Sequence, residues 1–92
     1  MFNSLSDFTN SYTQTDKHAG EMTVYYTKLS DRIVSLTTFL DCPLVVPSVN
    51  NLNYDIEGDF TVETCWDSTI ITYSETDSLE TALETCSSFV TM

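Results

Sequence analysis

Residues 22–28, Met-Thr-Val-Tyr-Tyr-Thr-Lys, decide the fold class predicted for this chain, because two structural periods compete in them. Their β-branched and aromatic side chains are good strand formers. An alternating strand, however, would place Lys28 on the same face as Met22 and Tyr26, so the apolar alternation stops after three positions. A helical period runs through the same residues without interruption, and it outweighs the strand interpretation.

That helical period extends over the first forty residues. Eleven side chains follow one another at alternating steps of three and four, and all but Thr15 are apolar or aromatic. They are Leu5, Phe8, Tyr12, Thr15, Ala19, Met22, Tyr26, Leu29, Ile33, Leu36 and Leu40. This spacing predicts an apolar stripe along a helix. We therefore predict that residues 1–41 are helical, as one helix or as two that break near Gly20, and that Pro43 ends this half.

The later part of the stripe is a candidate interface. Eleven positions are many for the core of a 92-residue monomer, so the stripe is expected to pack against a second copy or a partner helix. The predicted packing residues are Met22, Tyr26, Leu29, Ile33, Leu36 and Leu40. The chain is therefore expected to be capable of forming a homodimer.

Beyond Pro43 the pattern becomes that of a sheet. Residues 43–51 contain two prolines, which bias the residues before them away from helix, so this segment is predicted to be an extended linker. Residues 52–74 then alternate apolar and polar side chains around a turn at 57–59, which predicts a three-stranded antiparallel meander. Its third strand is expected at 69–74.

The chain ends in a helix signal over residues 77–91. Asp77 followed by Glu80 resembles a capping box, and the apolar residues after it recur at helical spacing. These residues are Leu79, Ala82, Leu83, Cys86, Phe89 and Val90. The predicted fold class is therefore α+β. One domain over residues 1–92 has an amphipathic N-terminal helical half packed on a three-stranded antiparallel β-meander with a C-terminal helix.

The charge distribution carries the main functional prediction. The chain has a net charge of −11, and residues 33–92 hold ten carboxylates and no lysine, arginine or histidine. Average usage would give about seven cations in sixty residues. A surface without internal counter-charges repels itself, so it indicates a cationic partner. The same charge disfavours direct binding to nucleic acid or to an anionic membrane.

The predicted elements arrange these carboxylates in two rows. Side chains on one face of a strand are about 6.6 Å apart, which is comparable to the path between successive phosphates of a nucleic-acid backbone. The predicted partner-binding residues are Asp55, Glu57, Asp59, Glu63 and Asp67 on the hairpin, and Asp77, Glu80 and Glu84 on the last helix. We therefore predict an inhibitor that mimics phosphate charge and occupies the basic groove of a nucleic-acid-binding protein, such as a nuclease or a surveillance complex. Acidic proteins of this composition are typical of phage-encoded anti-restriction and anti-CRISPR decoys.

Three other interpretations stay open. The carboxylates can be ordinary solvated faces, and the chain can be a structural or assembly protein that acts through its helical stripe, with acidity serving solubility only. Halophilic adaptation also produces acidic surfaces without a partner. The presence of only two alanines, together with three cysteines, makes the halophilic interpretation the least favoured.

The sequence predicts no catalysis, metal site or cofactor. His18 is the only histidine, and the three cysteines lack the close spacing of zinc ligands and the local signature of a nucleophile. Asp55 facing Glu63 could form a hydrolase pair, but no arginine or glycine-rich loop accompanies it. The N-terminus has no signal-peptide pattern, so we expect reduced thiols and a cytoplasmic location, including the cytoplasm of a host cell.

Overall fold

The computed structural model describes residues 1–18, 20–30, 32–51 and 69–92. In these residues five strands form one antiparallel sheet, in which each strand pairs with the next along the chain, and one α-helix follows. The strands are β1 (Asn10–Asp16), β2 (Gly20–Lys28), β3 (Arg32–Phe39), β4 (Cys42–Asn51) and β5 (Thr69–Tyr73), and the helix is α1 (Leu79–Val90). A short 3-10 helix, Leu5–Asp7, precedes the sheet.

The N-terminal half is β-structure, so the prediction of a helical half over residues 1–41 is wrong. The strand interpretation of residues 22–28 was the correct one, and Lys28, where the apolar alternation stops, is the last residue of β2. The four consecutive residues from Ile33 to Leu36 are all buried. A strand that is buried on both faces has no alternation of apolar and polar side chains, so its pattern can imitate a helical one.

The predicted packing stripe is divided between the two faces of the sheet. Leu36 faces α1, Met22, Tyr26 and Ile33 lie on the other face, Leu29 follows β2, and Leu40 is 69% exposed in the turn after β3. These side chains do not form one surface, because successive residues of a strand point to opposite faces. The helical packing stripe predicted from them is therefore wrong.

The predicted linker at residues 43–51 is part of strand β4. Its alternate residues point their backbone groups towards β5 and the segment that follows it. Val45, for example, exchanges two hydrogen bonds with Thr76, beyond the end of β5, at 2.7 and 3.0 Å. Pro47 lies on the same side, and its carbonyl accepts a hydrogen bond from the Ser74 N–H at 3.1 Å. Proline has no backbone N–H, and the nitrogen of Pro47 faces Ser74, the first residue after the end of β5. A proline is tolerated at the margin of strand pairing, so it does not exclude a strand here.

The predicted meander over residues 52–74 is corrected in the part that the structure describes. Its expected third strand, at 69–74, is β5, and it pairs with β4 as the last of five strands. The predicted three-stranded sheet did not include β1 to β4, because the residues of these four strands were assigned to a helical half and a linker. The predicted hairpin over residues 52–67 lies outside the described residues.

The main core lies between α1 and one face of the sheet. The buried residues of this core are Phe8, Val34, Leu36, Val45, Val49, Ala82, Leu83, Cys86 and Phe89. The Cys86 thiol donates a hydrogen bond to the Ser35 carbonyl at 3.4 Å, and burial raises the pKa of Cys86 to about 12. A desolvated thiol of this kind stays protonated and acts as a small apolar side chain.

The C-terminal helix predicted over residues 77–91 is present as Leu79–Val90. Its N-cap is Ser78, whose hydroxyl oxygen accepts a hydrogen bond from the Thr81 N–H at 3.2 Å. The capping box predicted from Asp77 and Glu80 is therefore wrong by one residue. Serine and aspartate are both good N-cap residues, and adjacent candidates are difficult to separate by sequence alone.

Candidate protein-binding surface

Three of the predicted partner-binding carboxylates lie around the first turns of α1. Asp77 precedes the N-cap, and Glu80 and Glu84 are separated by four residues, which places them on the same side of the helix. All three are exposed. Within the described part of the chain, none of them accepts a hydrogen bond or pairs with a cation. The other five predicted residues, Asp55, Glu57, Asp59, Glu63 and Asp67, lie outside the described residues.

Glu80 and Glu84 border an open depression of about 440 Å³ with an apolar floor. Its apolar lining residues, which we call its floor, are Phe2, Leu79 and Leu83, and Asn3 is the remaining lining residue. Leu79 continues the apolar side of α1 beyond the edge of the core and is 41% exposed. The structure therefore combines two carboxylates with an accessible apolar patch, which we call the α1 surface.

The N-terminal segment completes the α1 surface by carrying Phe2 across to the helix. The Phe2 ring stacks on Phe8 with the ring centroids 4.2 Å apart and the planes within 7° of parallel. The Phe2 N–H donates to the Ser87 hydroxyl at 3.0 Å, and that hydroxyl donates to the Leu83 carbonyl at 3.0 Å. These contacts fix Phe2 against α1, so the floor of the depression is formed by two distant parts of the chain.

Asp7 has a structural role in this segment. Its carboxylate accepts hydrogen bonds from the backbone N–H groups of Asn3 at 2.8 Å and Ser4 at 3.1 Å. These bonds favour the charged form and lower the pKa of Asp7 below its ordinary range. Asp7 therefore orders the turn that leads to Phe2, and it is not counted among the binding carboxylates.

The opposite end of α1 carries positive charge. Arg32, at the start of β3, donates from Nη1 to the carbonyls of Phe89 at 3.2 Å and Met92 at 2.7 Å. Acidic groups at the N-terminus of a helix and a guanidinium at its C-terminus both interact favourably with the helix dipole. Asp77 and Glu80 therefore also stabilise α1. Glu84 lies beyond the first turn, where this effect is small, so helix stability does not account for it.

The α1 surface has the chemistry to bind a lysine or arginine side chain. The aliphatic stem of such a side chain can pack on Phe2 and Leu79, while its cationic head reaches the carboxylates of Glu80 and Glu84. Charge-assisted hydrogen bonds to carboxylates are stronger than neutral ones, and arginine forms them in pairs.

Sequence reasoning identified the carboxylates of this surface but missed its apolar floor. Leu79 was assigned to the apolar side of the last helix, and nothing in the pattern indicates that this position is accessible. Phe2 reaches α1 through a contact that spans 85 residues of sequence. No local signal can report such a contact, although the nearby Phe8 marks the segment as one that buries aromatic rings.

Among the described residues, no group of three or more histidine, cysteine, aspartate or glutamate side chains is arranged to hold a metal ion. No helix in the described ranges has the length and apolar character needed to cross a bilayer. Comparison of the chain with protein-family models, curated proteins and solved structures finds no match.

Proposed function

We propose that this protein is a non-catalytic acidic binding protein whose α1 surface docks a basic segment of a nucleic-acid-binding protein. The observation that carries the proposal is the pairing of Glu80 and Glu84 with the exposed apolar side chain of Leu79. A solvated acidic face needs no apolar floor, whereas a surface that holds arginine or lysine side chains benefits from both parts.

The overall charge supports the same function. A net charge of −11 attracts a cationic partner over distances longer than those of direct contacts and accelerates association. A protein that binds the basic groove of a nuclease or surveillance complex competes with nucleic acid without chemistry. Inhibition by phosphate mimicry, as in a phage-encoded decoy, is the biological role we propose for such binding.

A displacement assay tests this function directly. The protein is titrated into a fluorescein-labelled arginine-rich peptide over a salt series, and binding is followed by fluorescence anisotropy. At one fixed low salt concentration the protein is also added to the complex of this peptide with a short DNA duplex, and release of the DNA is followed. We expect the protein to release the DNA, and we expect its affinity for the peptide to fall as salt rises. The double variant Glu80→Gln/Glu84→Gln should lose about tenfold in apparent affinity, because it removes both carboxylates at the depression.

The matched control is Glu21→Gln/Asp41→Asn, which removes the same charge at two exposed positions away from α1. This control should retain most of the affinity. A third variant, Leu79→Ser, should weaken binding without changing its salt dependence, because it alters only the apolar floor. Equal losses in the two charge variants, or no displacement by the unmodified protein, would contradict the proposal. Circular dichroism verifies that each variant is folded.

A further inference from the structure

The outer edge of β1 is a second surface with a defined chemistry. In the described part of the chain β1 is at the margin of the sheet and pairs with β2 alone, from Asn10 opposite Tyr26 to Asp16 opposite Gly20. Edge strands are usually protected by a charged residue, a proline, a bulge or a covering loop. Residues 10–15 contain no charge and no proline, and their pairing with β2 is regular.

The hydrogen-bonding pattern of β2 shows which residues of β1 point outwards. The Leu40 N–H donates to the Glu21 carbonyl at 3.0 Å, so the odd-numbered residues of β2 bond to β3. The even-numbered residues of β2 therefore bond to β1, because the two sides alternate in an antiparallel sheet. On β1 the residues opposite them are also even-numbered. Ser11, Thr13 and Thr15 consequently present their backbone N–H and carbonyl groups to the outer edge.

From this arrangement we infer that β1 pairs with β1 of a second copy of the chain in an antiparallel register centred on Thr13. In this register Thr13 lies opposite itself and Ser11 lies opposite Thr15, so all six outward-pointing groups are satisfied. On one side of the sheet the hydroxyl-bearing Ser11, Thr13 and Thr15 then face one another, and on the other side Tyr12 lies opposite Gln14. These are polar pairs without like charges, which is a favourable cross-strand combination. The paired sheets form one continuous sheet of ten strands counted over the described residues.

Charge favours a second copy over a basic peptide at this edge. A cationic strand needs carboxylates along the edge, and β1 has one only, that of its last residue Asp16, with none from Asn10 to Thr15. The uncharged edge is instead a place where two strongly acidic molecules can approach with the least repulsion. A single strand pair gives an interface smaller than the standard of about 1,600 Å², so we expect a weak dimer that forms between about 10 μM and 1 mM.

The dimer and the binding function respond oppositely to salt, so they can fail independently. Salt screens the repulsion between two copies and should strengthen the dimer, whereas it should weaken binding of a basic partner. Sedimentation equilibrium over a salt series measures the first effect. Thr13→Pro removes an outward N–H without removing a bond to β2, so it should abolish the dimer and leave the fold intact. Thr13→Lys places two like charges opposite each other at the centre of the dimer and should also weaken it, and Thr81→Lys, at an exposed position on α1, is its matched control.

Disulfide trapping tests the register itself. In a background of Cys42→Ser and Cys65→Ser, Thr13→Cys should form a disulfide-linked dimer, because directly opposite residues lie about 5.5 Å apart at Cα. Ser11→Cys should link to Thr15→Cys when the two proteins are mixed. Neither Ser11→Cys alone nor Thr15→Cys alone should form a linked dimer. In the proposed register the two copies of residue 11 are four residues apart along the strands, which is about 13 Å, and the same holds for the two copies of residue 15. Thr81→Cys on α1 provides the background rate of random oxidation.

Three results would overturn the inference. The first is a protein that remains monomeric in high salt at about 1 mM, the upper end of the concentration range in which we expect the dimer to form. The second is cross-linking of Thr13→Cys no faster than of Thr81→Cys. The third is protection of the Thr13 amide from hydrogen exchange by an extended cationic peptide in a protein that stays monomeric, because that peptide would then be the occupant of the edge.

Discussion

Gly20 shows how one residue determines the local path of the chain. It begins β2, lies opposite Asp16, and has a φ of 76°, in the left-handed region that only glycine adopts freely. A glycine inside a helix lowers helix stability, and the sequence pattern of residues 1–41 therefore indicated a break at this position. The break is real, but it is the hairpin turn between β1 and β2 rather than a junction between helices.

Replacement of Gly20 by alanine should destabilise the protein by about 1 kcal/mol. The left-handed conformation costs a residue with a Cβ about 1–2 kcal/mol, and the lower entropy of the unfolded chain offsets part of it. Contact with the rest of the protein adds nothing, because no heavy atom beyond its two chain neighbours lies within 4 Å of the position a Cβ would occupy. Urea unfolding measures the change. Gly20→Asn should lose less, since asparagine tolerates this conformation, and equal stability of Gly20→Ala and the unmodified protein would contradict this account.

At the scale of elements, the most predictable part of the chain is α1. Its apolar residues recur at helical spacing, and Ala82, Leu83, Cys86 and Phe89 are the residues that the structure buries. Its single buried side fits the periodicity that a surface helix requires. The strands were harder to predict, because β3 buries both faces and β4 contains prolines, so neither shows the alternation of a half-exposed strand.

Arg32 links α1 to the sheet, and its loss should destabilise the protein by about 1 kcal/mol. The guanidinium donates to two carbonyls at the C-terminus of α1, which would otherwise have fewer partners. The methionine in Arg32→Met keeps an unbranched stem but removes the donors, and the expected loss is that of a partly exposed hydrogen bond to a charged group. Chemical unfolding followed by circular dichroism measures it.

The control for this prediction is Lys17→Met, which removes the same charge from an exposed residue in the turn after β1. Its stability should change by less than about half as much, because exposed charges contribute little individually. If both variants lose the same stability, the effect of Arg32 comes from net charge and not from its bonds to α1.

At the scale of the whole molecule, the acidic character of the surface could be predicted from composition, whereas the order of strands and helices could not. Glu80 and Glu84 are exposed on one side of α1, as their four-residue spacing indicates. The floor beneath them depends on Phe2, which approaches α1 only because the 3-10 helix and the stacked ring of Phe8 direct the N-terminus there. Contacts between residues so far apart in the sequence can be predicted only when the fold is predicted correctly, and the predicted fold was wrong in its N-terminal half.

The excess negative charge should make the stability of the molecule depend on salt. The cations of the chain all lie at or before residue 32, so repulsion among the later carboxylates has little internal compensation. Raising NaCl from about 20 mM to about 500 mM shortens the Debye length from about 20 Å to about 4 Å. We expect Tm to rise by about 4–8 °C, which corresponds to about 1 kcal/mol of relieved repulsion in a chain of this size.

Thermal unfolding of a charge-reduced variant separates repulsion from other effects of salt. Glu21→Gln/Asp41→Asn/Glu75→Gln/Glu84→Gln removes four exposed carboxylates outside the first turn of α1 and changes the net charge from −11 to −7. This variant should have a higher Tm than the unmodified protein at low salt and a smaller rise with salt, so that the two values converge at high salt. If Tm rises equally with NaCl concentration in both proteins, the effect of salt on stability does not come from screening of repulsion among the surface carboxylates.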